Sequence, residues 1–186
     1  MYDVIQWNEY LDLSFFYKQC EKLNYRNNLS QEVMIDPFKY DPNFVAFILY
    51  KNQSLPIGSI VCHSFDEVMG PNSLRIARIC QINQDKGLSN RDLVLKMKNY
   101  CDRFLMPAIF NHYNLDKFKI YITTNSDSMG TRSSNNMGKI IQKFYTKNKL
   151  ISKVADHLIY KGSKQTVWLW NPKEHENYLK KQEIWP

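Results

Sequence analysis

The sequence has no Cys-x-x-Cys pair, no apolar run long enough to span a bilayer and no run of five basic residues, and each absence removes a class of function. Its cysteines, Cys20, Cys62, Cys80 and Cys101, stand far apart with no histidine at zinc-ligand spacing. The spacing of a zinc module or a disulfide framework is therefore missing, and buried thiols with no metal site are expected. Crossing a bilayer takes roughly 20 apolar residues, and nothing in the chain approaches that. The start, Met1-Tyr2-Asp3-Val4-Ile5-Gln6-Trp7-Asn8-Glu9, lacks the basic region and apolar stretch of an export signal, so a cytoplasmic protein with no membrane partner is expected. Glycine and proline, at 6 and 7 residues, are too scarce for a low-complexity segment. Lysines and arginines are dispersed, which gives no dedicated nucleic-acid arm.

What remains is a chain of 186 residues, 44% hydrophobic and 14% aromatic, enough to enclose a core without covalent staples. One domain over 1–186 is expected, with its core at about 43–170 and a charged, peripheral tail at 172–186. Twenty-five Lys and Arg against eighteen Asp and Glu leave a net charge of +7, which favours anionic ligands such as phosphates and nucleotides.

Hydrophobic period orders the elements. Leu11, Phe15 and Leu23 at helical spacing, with Asn8 as N-cap, predict a first helix from about Asn8 to Leu23, and no strand is assigned ahead of it. Asp36-Pro37 and Asp41-Pro42 mark a connector. Short β-branched and aromatic runs predict strands over 44–50 and 56–65, joined as a hairpin by Lys51-Asn52-Gln53-Ser54. After the turn Gly70-Pro71-Asn72, alternation over 74–82 predicts a third antiparallel strand, with Ile76 on one face and Arg75 and Ala77 on the other. Leu93, Met97, Tyr100/Cys101 and Phe104 form one helical stripe, and Pro107 predicts a break or kink before 109–113. A strand over 118–123 completes a crossover of the parallel type. A loop over 126–136, a helix over 137–147 and strands over 151–160 and 166–170 follow. The fold class is α+β, a mixed α/β layer architecture.

Chemistry concentrates where the third strand hands over to the long helix, at Gln81-Ile82-Asn83-Gln84-Asp85-Lys86-Gly87-Leu88-Ser89-Asn90-Arg91-Asp92. Ser89 and Asp92 have capping-box spacing, so the helix is expected to start at Ser89 with free N–H groups directed back into the turn. Such an end carries partial positive charge and binds anions. Gly87 allows the main chain to approach a phosphate, and Lys86 and Arg91 add charge.

The run Gln84-x-x-Gly87-x-Ser89 resembles the Gln/Arg-x-x-Gly-x-Gly/Ala turn of the GNAT acyltransferases. Pro56-Ile57-Gly58 in the hairpin is similar to that family's second and third strands, and Phe144-Tyr145-Thr146-Lys147-Asn148-Lys149-Leu150 resembles its late helix motif. The likeness covers roughly 43–160, with the family's first strand short or missing. Ser89 replaces the last small residue of the turn, and Lys149-Leu150 replaces the family's Gly-Phe. The resemblance implies a GNAT-like fold with a mostly antiparallel twisted sheet and an N-acyltransferase moving an acetyl group from acetyl-CoA, as co-substrate, to a primary amine.

It implies that Gln84, Lys86, Gly87, Leu88, Ser89, Asn90 and Arg91 hold the coenzyme A pyrophosphate while the backbone around Cys80 and Ile82 pairs with the pantetheine arm. By position, Tyr145 resembles the tyrosine that protonates the coenzyme A sulfur. The family's usual strand carboxylate is missing from 73–82, where Arg75 and Arg78 stand instead. His63, Asp66 and Glu67 are the candidate bases. Two other readings accompany this one: a phage-type, nucleic-acid-modifying relative resembling the Mom family, which the basic, aromatic-rich composition permits, and a non-catalytic binder that kept the fold.

Overall fold

The computed structural model describes residues 1–7, 45–53, 55–81, 90–125, 144–160 and 162–182. The expected first helix and the expected loop at 126–136 lie outside them. The strands are β1 (Tyr2–Trp7), β2 (Val45–Lys51), β3 (Leu55–Ser64), β4 (Ser73–Gln81), β5 (Lys119–Asn125), β6 (Ile151–Tyr160) and β7 (Ser163–Trp170). They form a seven-stranded sheet in the order β1-β2-β3-β4-β5-β7-β6. Neighbouring strands run antiparallel except β4 and β5, which are parallel. A parallel pair needs a long crossover. It is supplied by α2 (Asn90–Tyr100), a π-helical segment (Cys101–Leu105) and α3 (Met106–His112), after the short α1 (Asp66–Met69) has turned the chain between β3 and β4. Gly70, at φ +88, takes the left-handed conformation that closes this turn. The last described element is α4 (Pro172–Lys181).

Period-two alternation gives the sheet two faces. Phe47, Leu49, Ile60, Cys62, Ile76, Ile120, Ile122, Trp168 and Trp170 face the crossover helix and enclose Met97, Cys101, Leu105, Met106 and Ile109 in the main core. A smaller cluster, Phe65, Tyr121 and Val167 with Leu158, Tyr160 and Leu169 against it, forms on the opposite face.

Two expectations from the sequence are corrected. A strand does precede the first helix region: β1 pairs in regular register with β2, from Tyr2↔Lys51 to Trp7↔Ala46. The segment read as a peripheral tail forms α4, and its His175 is 1% exposed. The irregularity expected at Pro107 takes the form of a widened, π-helical turn just before it, in which the Met106 N–H donates to the Cys101 carbonyl.

Candidate active site

The β4–β5 ladder is short. Its pairs run from Ser73↔Lys119 to Ile76↔Ile122, and among the described residues no further pair joins the two strands. Both strands continue past that point. β4 stays paired to β3 through Val61↔Arg78, Ile60↔Ile79, Ser59↔Cys80 and Gly58↔Gln81. β5 stays paired to β7 through Thr123↔Val167, Thr124↔Thr166 and Asn125↔Gln165. Among the described residues the ladder is therefore open between two held strands, with the main chain of Ala77–Gln81 on one side and Thr123–Asn125 on the other. A register shift beside Cys62 sets Ala77 between the pairs Cys62↔Ile76 and Val61↔Arg78, and such a bulge bends a strand and sharpens its twist. Strand amides and carbonyls without a ladder partner are ready to pair with an extended ligand that carries amides of its own.

Of the residues expected to hold the cofactor, Cys80 lies in the part of β4 that flanks the opening, and Asn90 and Arg91 are the first residues of α2. Ile82, Gln84, Lys86, Gly87, Leu88 and Ser89 lie outside the described residues. His63 is buried on β3 and is the register partner of Arg75. Asp66 is exposed at the start of α1, where its carboxylate accepts the Ser73 N–H at 2.8 Å. That bond ties the turn between β3 and β4 at the end of β4 remote from the opening.

Tyr145 is fully enclosed, its ring tilted against Trp170 at 5.0 Å between centroids, and its hydroxyl donates to Asp102 Oδ1 at 2.7 Å. Burial, reinforced by Cys101 and Asp102, pushes the phenol well above its ordinary range, so it keeps its proton. The other Asp102 oxygen receives Lys98 Nζ, which also donates to Tyr178 Oη at 3.0 Å. Burial pulls the Lys98 ammonium down, but Asp102 and the hydrogen bonds to Asp102 and Tyr178 outweigh it and leave it raised.

This buried chain continues to α4. In the widened turn the Met106 N–H reaches back to Cys101, and Pro107 has no N–H to offer the next carbonyl. His175 meets it: Nε2 donates to the Asp102 carbonyl at 2.7 Å, while Nδ1 accepts Trp170 Nε1 at 3.3 Å. Those two bonds define a neutral imidazole with its proton on Nε2. Desolvation, the leading cause, holds its pKa below the usual value. None of this network was read from the sequence. Its one local trace is Lys98 and Asp102, opposite charges four residues apart beside the apolar stripe.

On the opposite face, Arg75 sits one residue before the ladder ends. Its Nη1 donates to Thr123 Oγ1 at 3.3 Å, across to the first β5 residue beyond the last pair. The guanidinium lies 4.9 Å from the Tyr160 ring centroid and 6.0 Å from that of Phe65. Phe65 in turn meets Tyr160 and Tyr121 edge-on at 5.3 and 6.0 Å.

No family model matches the sequence, and no curated protein does. Solved structures do. An acyl-CoA N-acyltransferase from Pseudomonas aeruginosa superposes with a TM-score of 0.51 at 9% identity, covering 92% of this chain and 100% of that one. A probable acetyltransferase from Staphylococcus epidermidis gives 0.53 at 11% identity, over 91% of this chain and 98% of that one. A mutant form of the spermidine N-acetyltransferase SpeG from Vibrio cholerae gives 0.50 at 12% identity, over 95% and 99%. At such identities the likeness carries the fold: the chain is built as a GNAT-like mixed α/β domain.

Proposed function

We propose that the protein is an N-acyltransferase that takes an acetyl group from acetyl-CoA and passes it to a primary amine. The observation that supports this reading is the opening between β4 and β5, whose parallel strands part while each remains held on its outer side. The pantetheine arm is an extended chain with two amides, and the edge of Ala77–Gln81, which lies beyond the last β4–β5 pair, fits it as a partner. In this reading Cys80 and Ile82 lend main-chain groups to the arm. Gln84, Lys86, Gly87, Leu88, Ser89, Asn90 and Arg91 hold the pyrophosphate at the start of α2. Bound acetyl-CoA supplies the activated acyl group, and the protein orients it and accepts a proton from the amine.

His63 is the side chain we assign to that proton, because it is the register partner of Arg75, next to the end of the ladder. Asp66 is instead engaged with the Ser73 N–H at the start of β4. The Tyr145 hydroxyl keeps its proton and directs it at Asp102, so no proton of the reaction passes through it here.

Titration with acetyl-CoA tests the reading. At about 100 times Kd a ligand that binds only the folded state adds about 2.7 kcal/mol of stability, which a melting curve reads directly. Gly87→Val should remove the shift and leave the unliganded Tm in place. His63→Asn should keep the shift, lower kcat by about 100-fold or more and abolish the acid limb of its pH profile. A wild-type protein whose Tm ignores acetyl-CoA would end the proposal, and an unaltered pH profile in His63→Asn would remove His63 from it.

A further inference from the structure

Thr124 stands where the ladder gives out. β4 and β5 pair last at Ile76↔Ile122, so Thr123 and Thr124 are the first β5 residues beyond the closed part. Ile122 and Trp168 are register partners that both enter the core facing the crossover helix, and Thr124, two residues on, shares their face. Trp168 is 7% exposed, and its one side-chain donor, Nε1, donates to Thr124 Oγ1 at 3.0 Å. A hydroxyl carries one proton and two lone pairs. The indole occupies a lone pair, and among the described residues nothing accepts the Thr124 proton. We propose that this proton is donated to the carbonyl oxygen of the bound acyl thioester, which makes Thr124 a catalytic residue of the acyl step. The inference rests on the acyl-transfer reading above and adds to it the side chain that stabilises the developing charge.

Topology brings the reacting end of the ligand to this place. In that reading the pyrophosphate lies at the start of α2, past the C-terminal end of β4, and the arm runs back along β4 from Gln81 toward Ala77. The thioester is at the end of the arm remote from the pyrophosphate. It therefore comes to the closed end of the opening, where counting on from Ile76↔Ile122 sets Ala77 level with Thr123, the residue before Thr124. The face agrees as well, because α2 packs through Met97 on the same core that receives Trp168.

Electrostatics supplies the rest. Attack of the amine nitrogen on the thioester carbonyl carbon moves an electron pair onto the carbonyl oxygen. Collapse of the tetrahedral intermediate breaks the carbon–sulfur bond, and the thiolate leaves with that bond's pair while the nitrogen's proton goes to the base. Thr124 keeps its own proton throughout and shares it with the oxygen. A donor already in place acts on such charge without reorganising at the moment of reaction. The indole N–H holds the Thr124 oxygen and polarises its O–H, since chained hydrogen bonds strengthen one another.

Infrared difference spectra of acetyl-CoA isotopically labelled at the acetyl carbonyl carbon test this without turnover, because a hydrogen bond lowers the carbonyl stretching frequency. The bound band should lie lower in the wild type than in Thr124→Val, and Thr124→Ser, which keeps the hydroxyl, should restore the wild-type position. Thr124→Ala should show the same upward shift and serves if Thr124→Val folds poorly. Coenzyme A thiol release with primary amines gives the second readout. With the acetyl-CoA Tm shift unchanged, Thr124→Val should lose about 100-fold or more in kcat, and Thr124→Ser should recover most of it. Trp168→Phe keeps the hydroxyl but releases its oxygen, and should lose less. An identical carbonyl band in the wild type, Thr124→Val and Thr124→Ala, all binding acetyl-CoA, would overturn the inference, as would full kcat in both variants. A purely structural Thr124–Trp168 bond would lower Tm and leave both readouts where they were. A wild type whose Tm ignores acetyl-CoA would instead count against the underlying reading.

Discussion

Lys98 and Asp102 are 6% and 3% exposed, and each is expensive to enclose without the other. Asp102 receives Lys98 Nζ on one oxygen and the Tyr145 hydroxyl on the other, so all three groups act as one unit. Replacing either charged partner alone should cost about 3–5 kcal/mol, because the remaining charge is stranded in the core. The double variant Lys98→Met/Asp102→Leu should cost clearly less than the sum of the two. Urea unfolding of the four proteins measures this, and additive losses would show the pair to be uncoupled. Tyr145→Phe should lose about 1.5–3 kcal/mol, the range for a hydrogen bond to a charged group. It should not alter turnover per folded molecule, whereas a large fall in kcat at unchanged acetyl-CoA affinity would restore the tyrosine to the chemistry.

At the scale of elements, one proline explains how α4 is fastened. Pro107 removes a donor from the crossover helix, the helix widens over Cys101–Leu105, and His175 replaces the missing donor at the Asp102 carbonyl. His175→Phe should therefore cost about 1–3 kcal/mol, the penalty for an orphaned buried carbonyl, and should cost less in a Pro107→Ala background, where a main-chain N–H becomes available. Equal costs in the two backgrounds would break the link. The same histidine sets a pH dependence. Its folded-state pKa lies below the unfolded value of about 6.5, so its contribution is complete above that pH. As the pH falls below about 6.5 the unfolded chain takes up a proton that the folded chain refuses, and stability drops by up to about 1.4 kcal/mol per unit until the folded-state pKa is reached. The groups facing the ring are the Asp102 carbonyl, Trp170 Nε1, the edge-on Phe110 ring and, more distantly, Lys98. His175→Phe should lack this slope.

The elements were legible where burial imposes a local period. β2 to β5, the Met97–Cys101 stripe and the final hairpin announce themselves because one face of each is apolar. β1 did not, although Tyr2-Asp3-Val4-Ile5-Gln6-Trp7 alternates, because an edge strand with Tyr2 and Ile5 partly exposed carries little hydrophobic contrast. The network was illegible for another reason. Asp102 meets Tyr145 and His175 across separations of 43 and 73 residues, and no local spacing encodes such meetings. Arg75 was legible as a residue facing away from Ile76 on a strand that lacks a carboxylate. Its placement beside Thr123 depends on where the β4–β5 ladder stops, which is a property of register.

Across the whole molecule, that stopping point separates a closed half of the sheet from an open one. In the closed half, β4 and β5 satisfy each other from Ser73↔Lys119 to Ile76↔Ile122. In the open half, main-chain groups of Ala77–Gln81 that do not point toward β3 look into the gap, as do those of Thr123–Asn125 that do not point toward β7. An amide that faces a gap exchanges its hydrogen through small local fluctuations, whereas one locked in a ladder waits for larger openings. Hydrogen exchange without ligand should therefore be faster in peptides covering 77–81 and 123–125 than in those covering 73–76 and 119–122. Saturating acetyl-CoA should slow 77–81 most, because the strand edge gains hydrogen-bond partners there, and should leave the β6–β7 hairpin nearly unchanged. Uniform slowing over the whole chain would mean general stabilisation without a site at the opening. Stabilisation on melting with no added protection at 77–81 would place the ligand elsewhere on the protein and detach the strand opening from its proposed task.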